Sequence, residues 1–143
     1  DVPQEDYIIP LGKANRLREG SDLSLIAHGR AAITALKAAE QLKSEHNIDA
    51  DVIDLRSVRP LDVDAILESV KKTNRVCLVD ENKPFCGTSA MVSHLIQAEA
   101  FDHLDAPIDR VTCIDAPSIY SMPLETTQLP NPERVIRKVL AMG

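Results

Sequence analysis

The sequence predicts an α/β domain in which a mostly parallel sheet carries helices on both faces. Two observations predict it. Short apolar runs recur at residues 23–27, 52–55, 76–79 and 111–114, each built from Val, Ile, Leu, Ala or Cys with few polar interruptions. Between them lie stretches whose apolar residues fall three or four apart, the period of a helix rather than of a strand. Strands alternating with helices at this spacing mean βαβ units, with a parallel sheet covered on both sides.

Residues 1–13 are polar, carry two prolines and read as a linker from an upstream domain, with residues 14–143 as the domain proper. The chain opens on Asp1 without an initiator Met, which with the linker-like opening predicts a piece of a longer protein. Residues 14–19 suit a short edge strand, because Arg16, Arg18 and Glu19 discourage stray pairing. Gly20-Ser21-Asp22 is a turn. After the strand at 23–27, His28-Gly29 leads to a helix over 30–45 with Ala32, Ile33, Leu36, Ala39 and Leu42 inward.

Residues 51–62, DVIDLRSVRPLD, are the centre of the chain. A buried strand at 52–55 runs into an elbow at Arg56 and Arg59. Pro60 biases Arg59 away from helix, and Asp62 is the expected N-cap of the next helix. Val63, Ile66, Leu67 and Val70 give that helix one apolar face, and Thr73-Asn74 ends it behind Lys71 and Lys72. A polar loop follows the strand at 76–79. A helix over 88–101 then points Met91, Val92, Leu95 and Ile96 inward. Residues 115–130 read as irregular. Asn131-Pro132-Glu133 starts a last helix with Val135, Ile136, Val139 and Leu140 inward.

Composition excludes several functions. Only 3% of residues are aromatic and there is no Trp, so a platform of stacked bases is not expected. The formal net charge of −6 argues against binding a phosphate backbone. No apolar run approaches the ~20 residues of a membrane helix. Cys77, Cys86 and Cys113 lack C-x-x-C spacing and are odd in number, which fits a reducing compartment better than a disulfide scaffold. His28, His46, His94 and His103 show no metal-ligand spacing. Neither G-x-G-x-x-G, nor a phosphate loop, nor a G-x-S-x-G elbow is present.

Four strands end in polar residues: His28-Gly29, Asp54 with Arg56, Asp80-Glu81, and Asp115. In an open α/β sheet such ends border the ligand crevice, although capping of loops and helices is the favoured reading here. Arg56 and Arg59 could clamp an anion; the favoured reading is structural, with the pair held by Asp54, Asp62 or a partner subunit. Cys86 precedes a helix start, where a thiol can be reactive, but a small side chain packed in a tight turn is favoured. Between residues 99 and 125 the acids Glu99, Asp102, Asp105, Asp109, Asp115 and Glu125 face Arg110 alone, a local field suited to a basic partner or simply to solvent.

Several strings, in order along nearly the whole chain, resemble the C-terminal domain of transketolase-like enzymes. These are the lead-in YIIPLGKA through REGSD, VIDLRSVRPLD, VDE with PFCG, LDAP with RV, and DAP. The nearest likeness is to the beta subunit of the decarboxylating component of 2-oxo acid dehydrogenases. In that family two glycines usually follow the Phe; here the first is Cys86. The resemblance implies a three-layer α/β/α domain on a five-stranded mixed sheet with one antiparallel edge strand. It implies a parent enzyme that uses thiamine diphosphate and magnesium on pyruvate or a branched-chain 2-oxo acid, in a bacterial cytoplasm or mitochondrial matrix. Catalytic and cofactor residues would lie elsewhere in that parent, so none is assigned here. The implied partners are an alpha subunit, a second beta subunit and the basic subunit-binding domain of an acyltransferase. For the last, the matching contact is Asp105, with Asp109 and the chain end near Gly143 beside it. Alternative readings are the same domain from a transketolase or deoxyxylulose phosphate synthase-type enzyme, and a free-standing small-ligand or receiver-like α/β module.

Overall fold

The computed structural model describes residue 4 and residues 6–142. Five strands form one sheet in the order β1-β3-β2-β4-β5: β1 is Asn15–Arg18, β2 Leu23–Ala27, β3 Ala50–Asp54, β4 Val76–Val79 and β5 Asp109–Val111. β1 runs antiparallel to β3, and every other pairing is parallel. The expected mixed sheet is therefore present, with its antiparallel strand at an edge.

Helices α1 (Arg30–His46) and α5 (Pro132–Leu140) share one hydrophobic layer with Leu25, Val52 and Val79. Helices α2 (Val63–Thr73) and α3 (Thr88–Ala100) share the other with Ile26, Ile53 and Leu78. Successive strand residues point to opposite faces, so one strand feeds both layers. The core is aliphatic. Against the sheet α1 sets Ala31, Ala32, Ala35, Ala38, Ala39 and Leu42, a small-residue face that lets helix and sheet approach closely.

Three side chains expected inward are exposed: Ile33 (57%), Met91 (57%) and Leu140 (49%). Each lies on the flank of its helix. In α1 the alanine stripe, not the larger residues, meets the sheet; α3 buries Ser89, Val92, Ile96 and Ala100. The fourth predicted strand is also shifted. It spans 109–111 rather than 111–114, because β4 stops at Val79 and the Asp80 amide makes the last rung to the Val111 carbonyl. The Cys113 amide then donates to Asn82 O instead. The segment expected to be irregular contains α4 (Met122–Gln128), with Pro123 in its first turn.

A buried carboxylate ties the opening of the sheet together. Asp51, at 0% exposure on β3, accepts from Ser69 Oγ at 2.5 Å, Lys72 Nζ at 2.9 Å and the Gly20 amide at 3.3 Å, with Arg16 Nε at 3.4 Å. Ser24 Oγ on β2 meets Ser69 Oγ and Thr73 Oγ1, both at 2.6 Å, extending the network to the next strand. Gly20 is obligatory at its turn, since an added Cβ would collide with the Ala50 carbonyl.

At the elbow the arginines do not pair with Asp54 or Asp62, two of the partners expected for them. Arg56 and Arg59 are exposed, and neither guanidinium pairs with a carboxylate among the described residues. The elbow is held by shorter side chains. Asp62 caps α2 by accepting from the Ala65 amide at 3.3 Å, and accepts from the Ala14 amide at 3.0 Å. Asp54 Oδ1 accepts from the Arg56 amide at 3.0 Å, and Ser57 Oγ donates to Pro60 O at 2.7 Å. The Asp62 carboxyl lies below its ordinary range, first because of the Ala14 amide. Asp62→Ala is expected to cost about 1–2 kcal/mol, as loss of a helix cap does, while Arg59→Ala stays within about 0.5 kcal/mol, as exposed positions do. Urea midpoints of the two variants measure this. Equal losses would contradict it.

Candidate functional site

The loops after β2 and β4 diverge, one feeding α1 on one face of the sheet and the other feeding α3 on the opposite face. The gap between them is the topological switch point, where open α/β sheets receive ligands. His28 closes β2, Asp80 closes β4, and Ser89 lies in the first turn of α3.

Asp80 is 1% exposed. Its Oδ2 accepts from the Ser89 amide at 2.8 Å and its Oδ1 from the Asn82 amide at 3.0 Å, so it shapes the loop and caps α3. His28 Nε2 stands 3.5 Å from Oδ1, and Arg30 Nε stands 3.9 Å from Glu81 Oε1 at the rim. Gly87 is fixed by space: an added Cβ would come within 2.7 Å of Lys83 O and 3.1 Å of Asp80 Oδ2. Cys86 before it is exposed rather than packed, and has φ of 57°. That left-handed conformation favours glycine, the residue usual at this place in the family the sequence resembles. Cys77 and Cys113 are buried free thiols, and burial pushes Cys77 up to about 12.

Behind His28, Asp80, Ser89 and Leu55 lies a cavity of about 10 Å³. That is room for about one water molecule, not for an organic cofactor. Among the described residues no three His, Cys, Asp or Glu side chains gather as a metal would require. This crevice therefore does not fit a magnesium–diphosphate group. The crevice can hold a proton between imidazole and carboxylate, and it joins two loops.

The pair has a definite pH signature. His28 is raised above its ordinary value, first by the Asp80 carboxylate and then by Asp54 and Glu81, with burial opposing. Burial opposes ionisation of Asp80 most strongly, yet His28 and the Ser89 and Asn82 amides together hold it well below the usual carboxylate range. A raised imidazole contributes stability that is complete below its unfolded value of ~6.5 and is lost as pH rises through the folded value. Asp80 contributes above ~3.9 and its share fades as pH falls toward the folded value. The urea midpoint is expected to decline as pH rises from about 6.5 through the raised folded value of His28, and this decline should flatten in His28→Gln. Identical pH slopes for the two proteins would contradict the pairing.

The residues expected to meet a partner lie at the opposite end of the sheet. Asp105 is exposed, and its amide donates to Asn74 O at 2.9 Å. Beside it Gln97, Phe101, Leu104, Ala106 and Pro107 line an open hollow. Asp109 is engaged within the chain, 2.7 Å from Lys138 Nζ, so the two acids do not present alike. Gly143 lies outside the described residues. Sequence reasoning missed the Asp51 network, although Ser24, Ser69 and Thr73, hydroxyls interrupting apolar faces, were a legible signal for it. It also missed Arg134, which donates to the carbonyls of Thr112, Gln128 and Leu129.

Residues 12–135 match the family described as Transketolase, C-terminal domain. The chain belongs to that family. This transketolase C-terminal domain is 45% identical over 142 residues to the acetoin:2,6-dichlorophenolindophenol oxidoreductase subunit beta of Bacillus subtilis, covering 99% of the chain and 41% of that protein. It is 45% identical over 139 residues to the pyruvate dehydrogenase E1 component subunit beta of Rickettsia felis, covering 97% and 42%. A solved split gene transketolase, an inactive beta4 tetramer, superposes with a TM-score of 0.81 at 26% identity, covering 98% of this chain and 44% of that one. The chain thus spans less than half the length of each of these relatives.

Proposed function

We propose that this chain is the C-terminal assembly domain of a beta subunit in a 2-oxo acid dehydrogenase-type enzyme. It serves dimerisation and docking rather than chemistry. Kinship to beta subunits supports the class. The observation that carries the assembly role is the placement of the aromatic residues. The chain has two Tyr and two Phe, and all four are exposed: Tyr7 61%, Phe85 82%, Phe101 61% and Tyr120 107%. An aromatic side chain brings a large apolar area and is a favoured interface anchor. A domain that builds its own core from Ala, Val, Leu and Ile, and turns Phe85, Phe101 and Tyr120 outward, is shaped to be covered.

In this reading residues 1–13 connect to the rest of the parent. Thiamine diphosphate and magnesium act in other domains of the parent, whose substrate is pyruvate or acetoin by the names of the relatives, with a branched-chain 2-oxo acid as the alternative. Its partners are an alpha subunit, a second beta subunit and a basic acyltransferase domain, in a bacterial cytoplasm or mitochondrial matrix. The transketolase-type alternative draws on the solved neighbour, at lower identity than the beta subunits.

Asp105 is the proposed anchor for the basic domain, with the Phe101 hollow giving it an apolar floor. Titration of an acyltransferase subunit-binding domain onto the assembled parent tests this. Asp105→Ala is expected to weaken binding by about 2 kcal/mol. Asp109→Ala should do less, because Lys138 already holds that carboxylate. Affinity should fall with added salt. Unchanged affinity for Asp105→Ala would overturn the docking role.

A further inference from the structure

Four cationic residues border one concavity where α5 passes the open edge of the sheet. Arg110, Arg134, Arg137 and Lys138, with Val111 and Ala141, line a concavity of about 240 Å³. This is unusual ground in a chain with a formal net charge of −6. Among the described residues, only Lys138 of the four has a carboxylate partner, Asp109 at 2.7 Å. Arg137 also borders the neighbouring hollow that holds Glu45 and Glu133, and makes an ion pair with neither.

Two of the guanidiniums are held in place without being neutralised. Arg134 donates from Nη1 to Gln128 O at 3.2 Å and Leu129 O at 2.9 Å, and from Nη2 to Thr112 O at 2.7 Å. Arg110 donates from Nη1 to Pro84 O at 3.1 Å. Carbonyl acceptors fix a guanidinium but leave its full charge, and a guanidinium carries five N–H donors, so each retains donors for a ligand. The backbone adds to this. Val111 O accepts from the Asp80 amide, so Val111 faces β4, and the Arg110 N–H points to the open side of the last strand.

We propose that this concavity binds the phosphoryl group of a small molecule. A lone carboxylate takes one guanidinium fork in its plane. Arg134 and Arg137 on α5, neither paired with a carboxylate among the described residues, and the outward Arg110 N–H at the strand edge instead suit a tetrahedral group with about two negative charges near neutral pH. Esterified and free phosphate share this chemistry. The site lies on a different element pair from the His28–Asp80 crevice and from Asp105, and it stands whether or not the assembly role holds.

The test is a titration of the 143-residue chain, followed by the backbone amide signals in solution, with inorganic phosphate, glucose 6-phosphate, succinate, and sodium chloride at matched ionic strength. The expected result is saturable shifts at Arg110, Val111 and residues 134–141 with both phosphates. Arg137→Glu should weaken them by roughly tenfold or more, with Arg137→Gln as the milder second variant should charge reversal disturb the fold. Tighter binding of glucose 6-phosphate marks an esterified ligand, and equal binding marks free phosphate; both uphold the site. Shifts that sodium chloride reproduces, succinate binding as tightly as phosphate, or binding untouched in both Arg137 variants would overturn it.

Discussion

Asp51 is the constraint on which the rest of the domain depends. Its carboxylate is fully buried at the start of β3, and it meets four groups from three places: Arg16 on β1, the turn at Gly20, and Ser69 and Lys72 on α2. Through Ser69 the network reaches Ser24 on β2 and Thr73. A buried charge is costly unless it is paired and hydrogen-bonded. Asp51 therefore selects the arrangement that supplies all its partners at once. That arrangement has β1 antiparallel at the edge, β2 alongside β3, and α2 laid across both. The hydrophobic layers hold the elements together, and Asp51 fixes how they are matched.

With the amino ends of the strands locked in this way, the carboxyl ends are free to serve as loops. The switch-point crevice that many α/β domains use for ligands is here filled by the domain's own groups, with His28 against Asp80 and Asp80 capping α3. The outer surface includes the exposed Phe85 and Tyr120, alongside Arg56 and Arg59, which have no carboxylate partner among the described residues. A domain with a crevice too small for an organic ligand and with outward aromatics is suited to being covered by other protein, as the kinship to beta subunits suggests.

Much of this was legible in the sequence. The runs at 23–27 and 76–79 are strands with those bounds, because each is short, apolar and followed by a polar breaker. Asp62 and Asn131 cap their helices as their spacing predicts. The departures share a cause. Ile33 and Met91 follow the helical period, but the period does not say which of two neighbouring stripes meets the sheet, and in α1 the alanines do. Residues 112–114 have strand-like side chains, but the ladder ends where β4 ends. α4 was hidden among prolines, though Ser121 before Pro123 follows the same pattern as Asn131 before Pro132. Arg56 and Arg59 drew attention by their charge, whereas the elbow is held by Asp54, Ser57 and Asp62, whose small side chains reach backbone groups. Asp51 precedes the apolar run at 52–55, and only the fold brings its partners, up to 35 residues before it and 21 after, to one point.

The most direct test of that constraint is the stability of Asp51→Ala by urea unfolding, combined with Ser69→Ala in a double-mutant cycle. The single variant is expected to lose about 2–4 kcal/mol, somewhat under the full cost of breaking a buried pair because Arg16 and Lys72 can turn to solvent. In its background, Ser69→Ala should cost far less than in the wild type. A loss under about 1 kcal/mol, as for an exposed ion pair, with the two substitutions additive, would contradict the claim that this buried carboxylate sets the arrangement of the sheet.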